Sequence, residues 1–218
     1  MNQIEKNRFN MIEQQIRTWN VLDKAVLDLL KNIPREDYVP KEFLPLAFSD
    51  VEIPIEKNIT MLSPVIEAKI LNSLDLNKQI YALHVGTGSG YFAALLASQV
   101  KKLLTIDISE SALNRAKVIH RKNKISNIEY LCCNGFNGLF ENFPYDLIVF
   151  TASHLIEPPG LRDQLAINGS LLFFEGNSQL QNVKLVKRVS ETEYDEKILF
   201  EASIPSLLKS WEPNKFLF

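Results

Sequence analysis

Cysteine is nearly absent from this chain. Its 218 residues include two, Cys132 and Cys133, and they are adjacent. Neighbours in sequence make a poor structural crosslink. A disulfide-stapled fold is thereby excluded, and a reduced, cytoplasmic protein is expected. The pair reads as two small residues ending a buried strand rather than as a reactive dithiol. Long apolar runs are also missing. None reaches the ~18 residues of a membrane span, and Met1-Asn2-Gln3-Ile4-Glu5-Lys6 lacks the apolar centre of a secretory signal. Net charge is only -2, and Lys and Arg do not gather on one segment, so neither nucleic acid nor an anionic membrane is called for as partner. The three histidines, His84, His120 and His154, show no metal-ligand spacing with one another or with the cysteines, so no metal is expected. There is no Gly-x-Ser-x-Gly nucleophile elbow and no Gly-Lys-Ser/Thr phosphate loop.

What remains is an ordinary globular composition, 46% apolar and 23% charged, in a length that suits one large domain. Residues 1–32 carry Ile12, Ile16, Val21, Leu22, Val26, Leu29 and Leu30 near helical spacing. Residues 34–63 hold four of the ten prolines and read as short helices and extended pieces wrapped over another element. Pro64 suits a first helical turn with Ser63 as its cap, and that helix is expected to run to about Leu74. Beyond it, apolar runs fall at 80–85, 103–108, 127–132, 146–151 and 170–174, separated by helix-length segments at about 89–100, 109–123 and 155–166. Alternating strand and helix predicts an α/β fold with a doubly wound, mostly parallel sheet. Val183–Val189 and Lys197–Ile204 have no helix-length insert between them and predict a closing hairpin with one antiparallel strand. The whole of 1–218 reads as a single domain, with 1–63 as an N-terminal helical cover and 64–218 as the sheet core.

Glycine is scarce, eight residues in all, yet three stand at alternate positions in Val85-Gly86-Thr87-Gly88-Ser89-Gly90-Tyr91. An apolar run precedes them and a helical segment follows. Gly86 suits the tight turn, Gly88 the approach of a ligand to bare backbone, and Gly90 the close packing of the next helix. Asp107 ends the second apolar run, where a carboxylate accepts hydrogen bonds from both ribose hydroxyls. Tyr91 stands where a dinucleotide fingerprint wants a small residue, which disfavours a nicotinamide dehydrogenase. The tight Gly-Thr-Gly-Ser-Gly spacing resembles motif I of class I S-adenosylmethionine-dependent methyltransferases.

Further stretches resemble the protein-L-isoaspartate O-methyltransferase family. They are Met11-Ile12-Glu13-Gln14-Gln15-Ile16-Arg17, Ile33-Pro34-Arg35-Glu36, Tyr38-Val39-Pro40, Ala47-Phe48-Ser49-Asp50, Ile53-Pro54-Ile55, Pro144-Tyr145-Asp146, Thr151-Ala152, Pro158-Pro159 and Gln164-Leu165. The resemblance spans about residues 10 to 175. It implies a seven-stranded Rossmann-like sheet, S-adenosylmethionine as methyl donor, and as partner a protein or peptide bearing an isoaspartyl carboxylate. It implies protein repair as the role and leaves the oligomeric state open.

Three positions depart from the family pattern. His84 stands where the family carries an acid for the cofactor's ammonium. It either accepts from that ammonium as a neutral imidazole or is a core-edge histidine with a local backbone partner. Leu62 stands at the family's loop serine, which leaves Thr60 and Ser63 as the candidate catalytic hydroxyls, with helix capping the competing role for Ser63. Asn134 replaces an acid expected at the adenine and keeps an acceptor oxygen, with an Asn-Gly turn as its other reading. The expected cofactor residues are therefore His84, Gly86, Gly88, Gly90, Asp107 and Asn134. Retained glycines and Asp107 favour an active methyltransferase; the altered loop at 56–63 favours a relative that binds without methyl transfer. His154, after the fourth run, faces the crevice or lies on a surface loop, and the basic residues of 109–123 read as a solvated face.

Overall fold

The computed structural model describes residues 2–140, 143–177 and 179–205. The expected core of 64–218 therefore ends with thirteen residues, 206–218, that lie outside the described ones.

The cover begins with α1 (Gln3–Asn10), closed at its start by a capping box between Asn2 and Glu5. It continues through a π-helical turn, Met11–Ile16, and a short 3-10 turn, Arg17–Trp19, that ends on Asn20 with φ 63°. Helix α2 (Lys24–Asn32) is capped by Asp23, whose carboxylate accepts from the N–H groups of Ala25 and Val26. Two 3-10 turns, Arg35–Tyr38 and Lys41–Leu46, lead to a hairpin of β1 (Ile53–Glu56) and β2 (Ile59–Met61). These are the short pieces expected for 34–63, and the proline density explains why none is longer.

Helix α3 (Pro64–Asn72) starts on Pro64 as expected, but the Ser63 side chain makes no capping hydrogen bond. Asp50 stands in: its Oδ1 accepts from Val65 N at 3.3 Å. The sheet follows as β3 (Tyr81–Val85), β4 (Lys102–Asp107), β5 (Ile128–Cys132), β6 (Tyr145–His154), β7 (Leu165–Gly176), β8 (Gln181–Arg188) and β9 (Tyr194–Ala202). Their order is β5-β4-β3-β6-β7-β8-β9. The pairs from β5 to β7 are parallel, and β8 is antiparallel to both of its neighbours. This is the seven-stranded α/β sheet and closing hairpin that the strand spacing predicts. The chain steps outward from β3 to β4 and β5, then returns to place β6 on the other side of β3. That reversal opens a crevice at the carboxyl ends of β3 and β6, where open α/β sheets bind ligands.

Two expectations fail here. Residues 155–166 form no α-helix. Strand β6 runs on to His154, and only a 3-10 turn, Arg162–Gln164, precedes β7. Pro158 and Pro159 limit helix formation, and Gly160 takes φ +77°. The buried Gln164 amide holds the connection instead: its Oε1 accepts from Leu139 N, and its Nε2 donates to Asn137 O. Cys132, in turn, does not end a buried strand. β5 is the edge of the sheet, so Cys132 is exposed.

The larger core unites cover and sheet. Met11, Ile16, Leu30, Tyr38 and Ile53 share one apolar cluster with α3, α4 (Tyr91–Ala97) and residues of β6, β7 and β8. A second cluster on the opposite face joins Val85, Ile106, Phe150, Leu161 and Phe173. No helix among the described residues is long and apolar enough to cross a membrane.

Candidate active site at the carboxyl ends of the parallel strands

Strand β3 delivers the chain into the glycine loop. Gly86, Gly88 and Gly90 all take positive φ, +98°, +52° and +88°, which side chains rarely tolerate. Each glycine is needed for a different reason. A Cβ on Gly86 would stand 2.9 Å from Thr151 Oγ1. One on Gly90 would stand 2.6 Å from Ala116 Cβ, because α5 (Glu110–Lys122) packs directly on the loop. Gly88 differs: a Cβ there would meet no protein atom closer than 3.6 Å, the carbonyl of Thr60. A Cβ there would sit in ordinary van der Waals contact, so at Gly88 it is the positive φ rather than crowding that asks for glycine. Gly90→Ala combines strain with overpacking and is expected to cost on the order of 3 kcal/mol. Urea denaturation would measure it, and a loss below about 1 kcal/mol would show that α5 moves aside freely.

Asp107 closes β4 beside this loop. Its Oδ2 accepts from Gly88 N at 2.9 Å, and its Oδ1 accepts from Ser109 N at 2.9 Å. Each carboxylate oxygen keeps further acceptor capacity for a ligand's hydroxyls. Asn134 begins the turn after β5, and its Oδ1 accepts from Phe136 N at 3.0 Å. The turn reading holds, and the Asn134 amide N–H groups are not used in it. Spare acceptors on Asp107, beside the side-chain-free backbone of the glycine loop, fit the ribose of an adenosyl cofactor.

His84 is fully buried and its ring is engaged on both sides. Nδ1 lies 3.0 Å from Thr105 Oγ1, and Nε2 lies 3.0 Å from Thr151 Oγ1. Burial, with His120 adding to it, pushes the imidazole down to about 3, so it is neutral. The local-backbone reading does not apply: its partners are threonine hydroxyls of the adjacent strand β4 and of β6. His154 is buried at the end of β6, edge-on to the rings of Phe136 and Phe150. The surface-loop alternative is therefore overturned, and burial pushes this imidazole down to about 4.

The β1–β2 hairpin lies over the glycine loop, with Thr60 O and Ile59 Cγ2 the nearest approach to Gly88. Thr60 Oγ1 is buried and in hydrogen-bonding geometry with no described residue. The hydroxyl still bears on the half-buried Glu52 carboxyl, which burial raises and Thr60 partly restores. Ser63 sits one turn further on at the start of α3, its side chain unused in capping. Leu62 is buried in the main core, and its carbonyl accepts from Arg35 Nη2 at 2.6 Å. Of the two candidate residues, Thr60 approaches the loop, through its backbone carbonyl rather than its hydroxyl.

Several contributors escape a reading by motif. Glu56 ties the hairpin to α5 through Ser109 Oγ at 2.5 Å and Ser111 Oγ at 2.8 Å. Arg115, expected on a solvated face, is half-buried: its Nη2 donates to Gly88 O at 3.3 Å, and its Nη1 lies 3.6 Å from Glu56. His120 Nε2 donates to Gly90 O at 2.8 Å, while its Nδ1 pairs with Tyr130 OH at 2.7 Å. His120 had a signal, since its spacing from Ala112 and Ala116 puts it on the buried stripe of α5. Glu56 and Arg115 had none.

Known proteins resemble this chain in sequence and in fold. A sequence model of the family described as Protein-L-isoaspartate(D-aspartate) O-methyltransferase (PCMT) matches residues 6–204. A Protein-L-isoaspartate O-methyltransferase of Methanoculleus marisnigri is 35% identical over 189 residues, 86% of each chain. One of Syntrophus aciditrophicus is 33% identical over 191 residues, 88% of each chain. A solved structure from Plasmodium falciparum, described as an enzyme of this kind in complex with S-adenosyl-L-homocysteine, superposes with TM-score 0.79 at 19% identity. The match covers 96% of this chain and 100% of that one. Glycine loop, strand order and sequence similarity converge: this chain belongs to the protein-L-isoaspartate O-methyltransferase family.

Proposed function

We propose that this protein transfers a methyl group from S-adenosylmethionine to the free carboxylate of an isoaspartyl residue in a damaged protein or peptide, as a step of cytoplasmic protein repair. The observation that carries this reading is the hydrogen bond from Gly88 N to Asp107 Oδ2 at 2.9 Å, which locks the bare glycine turn to the strand-end acid. Bound S-adenosylmethionine supplies an electrophilic methyl on a sulfonium.

The acceptor makes modest demands. A carboxylate is ionised at neutral pH and needs no general base. What the chain contributes is placement and exclusion of water. Asp107 takes the ribose hydroxyls, Gly86, Gly88 and Gly90 give backbone access, and the Asn134 amide serves the adenine edge. The hairpin carrying Thr60 covers the loop. Its hydroxyl is the proposed contact for the acceptor carboxylate, with Ser63 next in reach along the chain. Arg35, by holding the Leu62 carbonyl, fixes how the hairpin enters α3.

A labelled-methyl assay on an isoaspartyl peptide, beside its aspartyl counterpart, tests the reading. Transfer to the first and not the second is expected; binding of S-adenosylmethionine without transfer to either would refute it. Leu62→Ser places a hydroxyl at the family's usual position. It is expected to cost about 2–5 kcal/mol of stability, because a buried leucine is truncated. It is also expected to raise transfer per folded molecule by up to about tenfold, the worth of one added hydrogen bond. Equal transfer by both forms would place Leu62 away from the acceptor.

A further inference from the structure

The hydrogen bonds around His84 have a direction that one backbone carbonyl dictates. Thr151 Oγ1 lies 2.7 Å from Gly86 O, and a carbonyl only accepts, so the Thr151 hydroxyl donates there. With its proton committed, Thr151 must accept from His84 Nε2 across their 3.0 Å contact. A neutral imidazole protonated on Nε2 presents a lone pair on Nδ1. Thr105 therefore donates to Nδ1 at 3.0 Å. Thr105 has then spent its proton, so Thr87 donates to Thr105 across 2.7 Å. The chain runs Thr87 to Thr105 to His84 to Thr151 to Gly86. It begins and ends in the glycine loop and crosses the carboxyl ends of β4, β3 and β6. Both faces of the topological switch are stitched to the loop by one ring.

We propose that His84 is a positioning residue for the glycine loop: its Nε2–H tautomer carries a one-way hydrogen-bond chain that holds the Gly86 carbonyl, and it does not itself contact the cofactor's ammonium. The assignment rests on the cofactor reading above only in what the loop is positioned for. A carboxylate at position 84 would accept from both threonines. Thr151 would then turn its proton away from Gly86, and the loop would lose its tie. The histidine is thus not a weak substitute for the family's acid but a different solution, in which the ring supports the loop's backbone.

Nitrogen-15 NMR of the full chain reads the tautomer directly, with the signals of His84 assigned by their loss in His84→Gln. The Nε2–H tautomer is expected at neutral pH; an Nδ1–H tautomer or a charged ring would overturn the proposal. Calorimetry with S-adenosylhomocysteine supplies the second arm. His84→Ala is expected to lose about tenfold in affinity, the scale of one hydrogen bond. His84→Gln, whose amide donates on one side and accepts on the other, restores most of that loss, while His84→Glu does not. Tighter binding by His84→Glu would show a direct ammonium contact and refute the proposal. A wild-type chain that binds no S-adenosylhomocysteine would refute the cofactor reading instead, and the tautomer would then decide the role of His84 alone.

Discussion

Arg35→Ala is expected to destabilise this protein by about 3–5 kcal/mol, the cost of breaking one side of a buried ion pair. Arg35 is fully buried, and each part of its guanidinium is engaged. Nε donates to Ala47 O at 3.0 Å, Nη1 to the Glu67 carboxylate, and Nη2 to Leu62 O at 2.6 Å, while Cζ lies 5.1 Å from the Tyr91 ring centre. One side chain therefore joins the cover, the start of α3, the hairpin's exit and the helix that follows the glycine loop. Its removal leaves Glu67 buried without its counter-charge. Burial already raises the Glu67 carboxyl to about 7, against the pull of Arg35. Thermal unfolding followed by circular dichroism should show a fall in Tm on the order of 10 °C. Without Arg35 the Glu67 carboxyl rises further and is neutral at neutral pH, so adding Glu67→Gln to Arg35→Ala is expected to return part of the loss only at higher pH, where the carboxyl would have to ionise. A loss below about 1 kcal/mol would mean that water takes over the guanidinium's partners.

Asp107→Ala is expected to weaken binding of S-adenosylhomocysteine by about 10- to 100-fold, since charge-assisted hydrogen bonds to the ribose are lost. The same change frees Gly88 N and Ser109 N, which Asp107 now holds. The effect should therefore exceed that of Asp107→Asn, which keeps one acceptor oxygen. Titration calorimetry measures both. Unchanged affinity in Asp107→Ala would place the ribose elsewhere and dismantle the proposed site.

Much of the framework was legible in the sequence. Every apolar run expected to be a strand is one, and the central strands announce themselves most clearly because burial on both faces leaves continuous apolar stretches bounded by turns. The glycines announced themselves for a related reason: positive φ is a demand of the local backbone, and glycine meets it most cheaply. The error at 155–166 arose where length between strands stood in for helical spacing. Leu155 and Ile156 are exposed, so they form no buried stripe, and the fold of that connection depends on the Gln164 amide instead. The opposite error concerned Arg115. Its charge suggested solvent, but its partners, Gly88 and Glu56, lie 27 and 59 positions earlier in the chain.

The sequence alone determined the α/β class, the crevice and the family, because periodicity, glycine placement and short motifs act over a few residues. Only the tertiary structure decided the roles of His84, Arg35 and Arg115. His84 finds Thr105 and Thr151 at separations of 21 and 67 residues, and Arg35 finds Glu67 at 32. A polar side chain acquires its function from the donors and acceptors that packing brings to it, and in a doubly wound sheet those come from strands that are neighbours in space and distant in sequence.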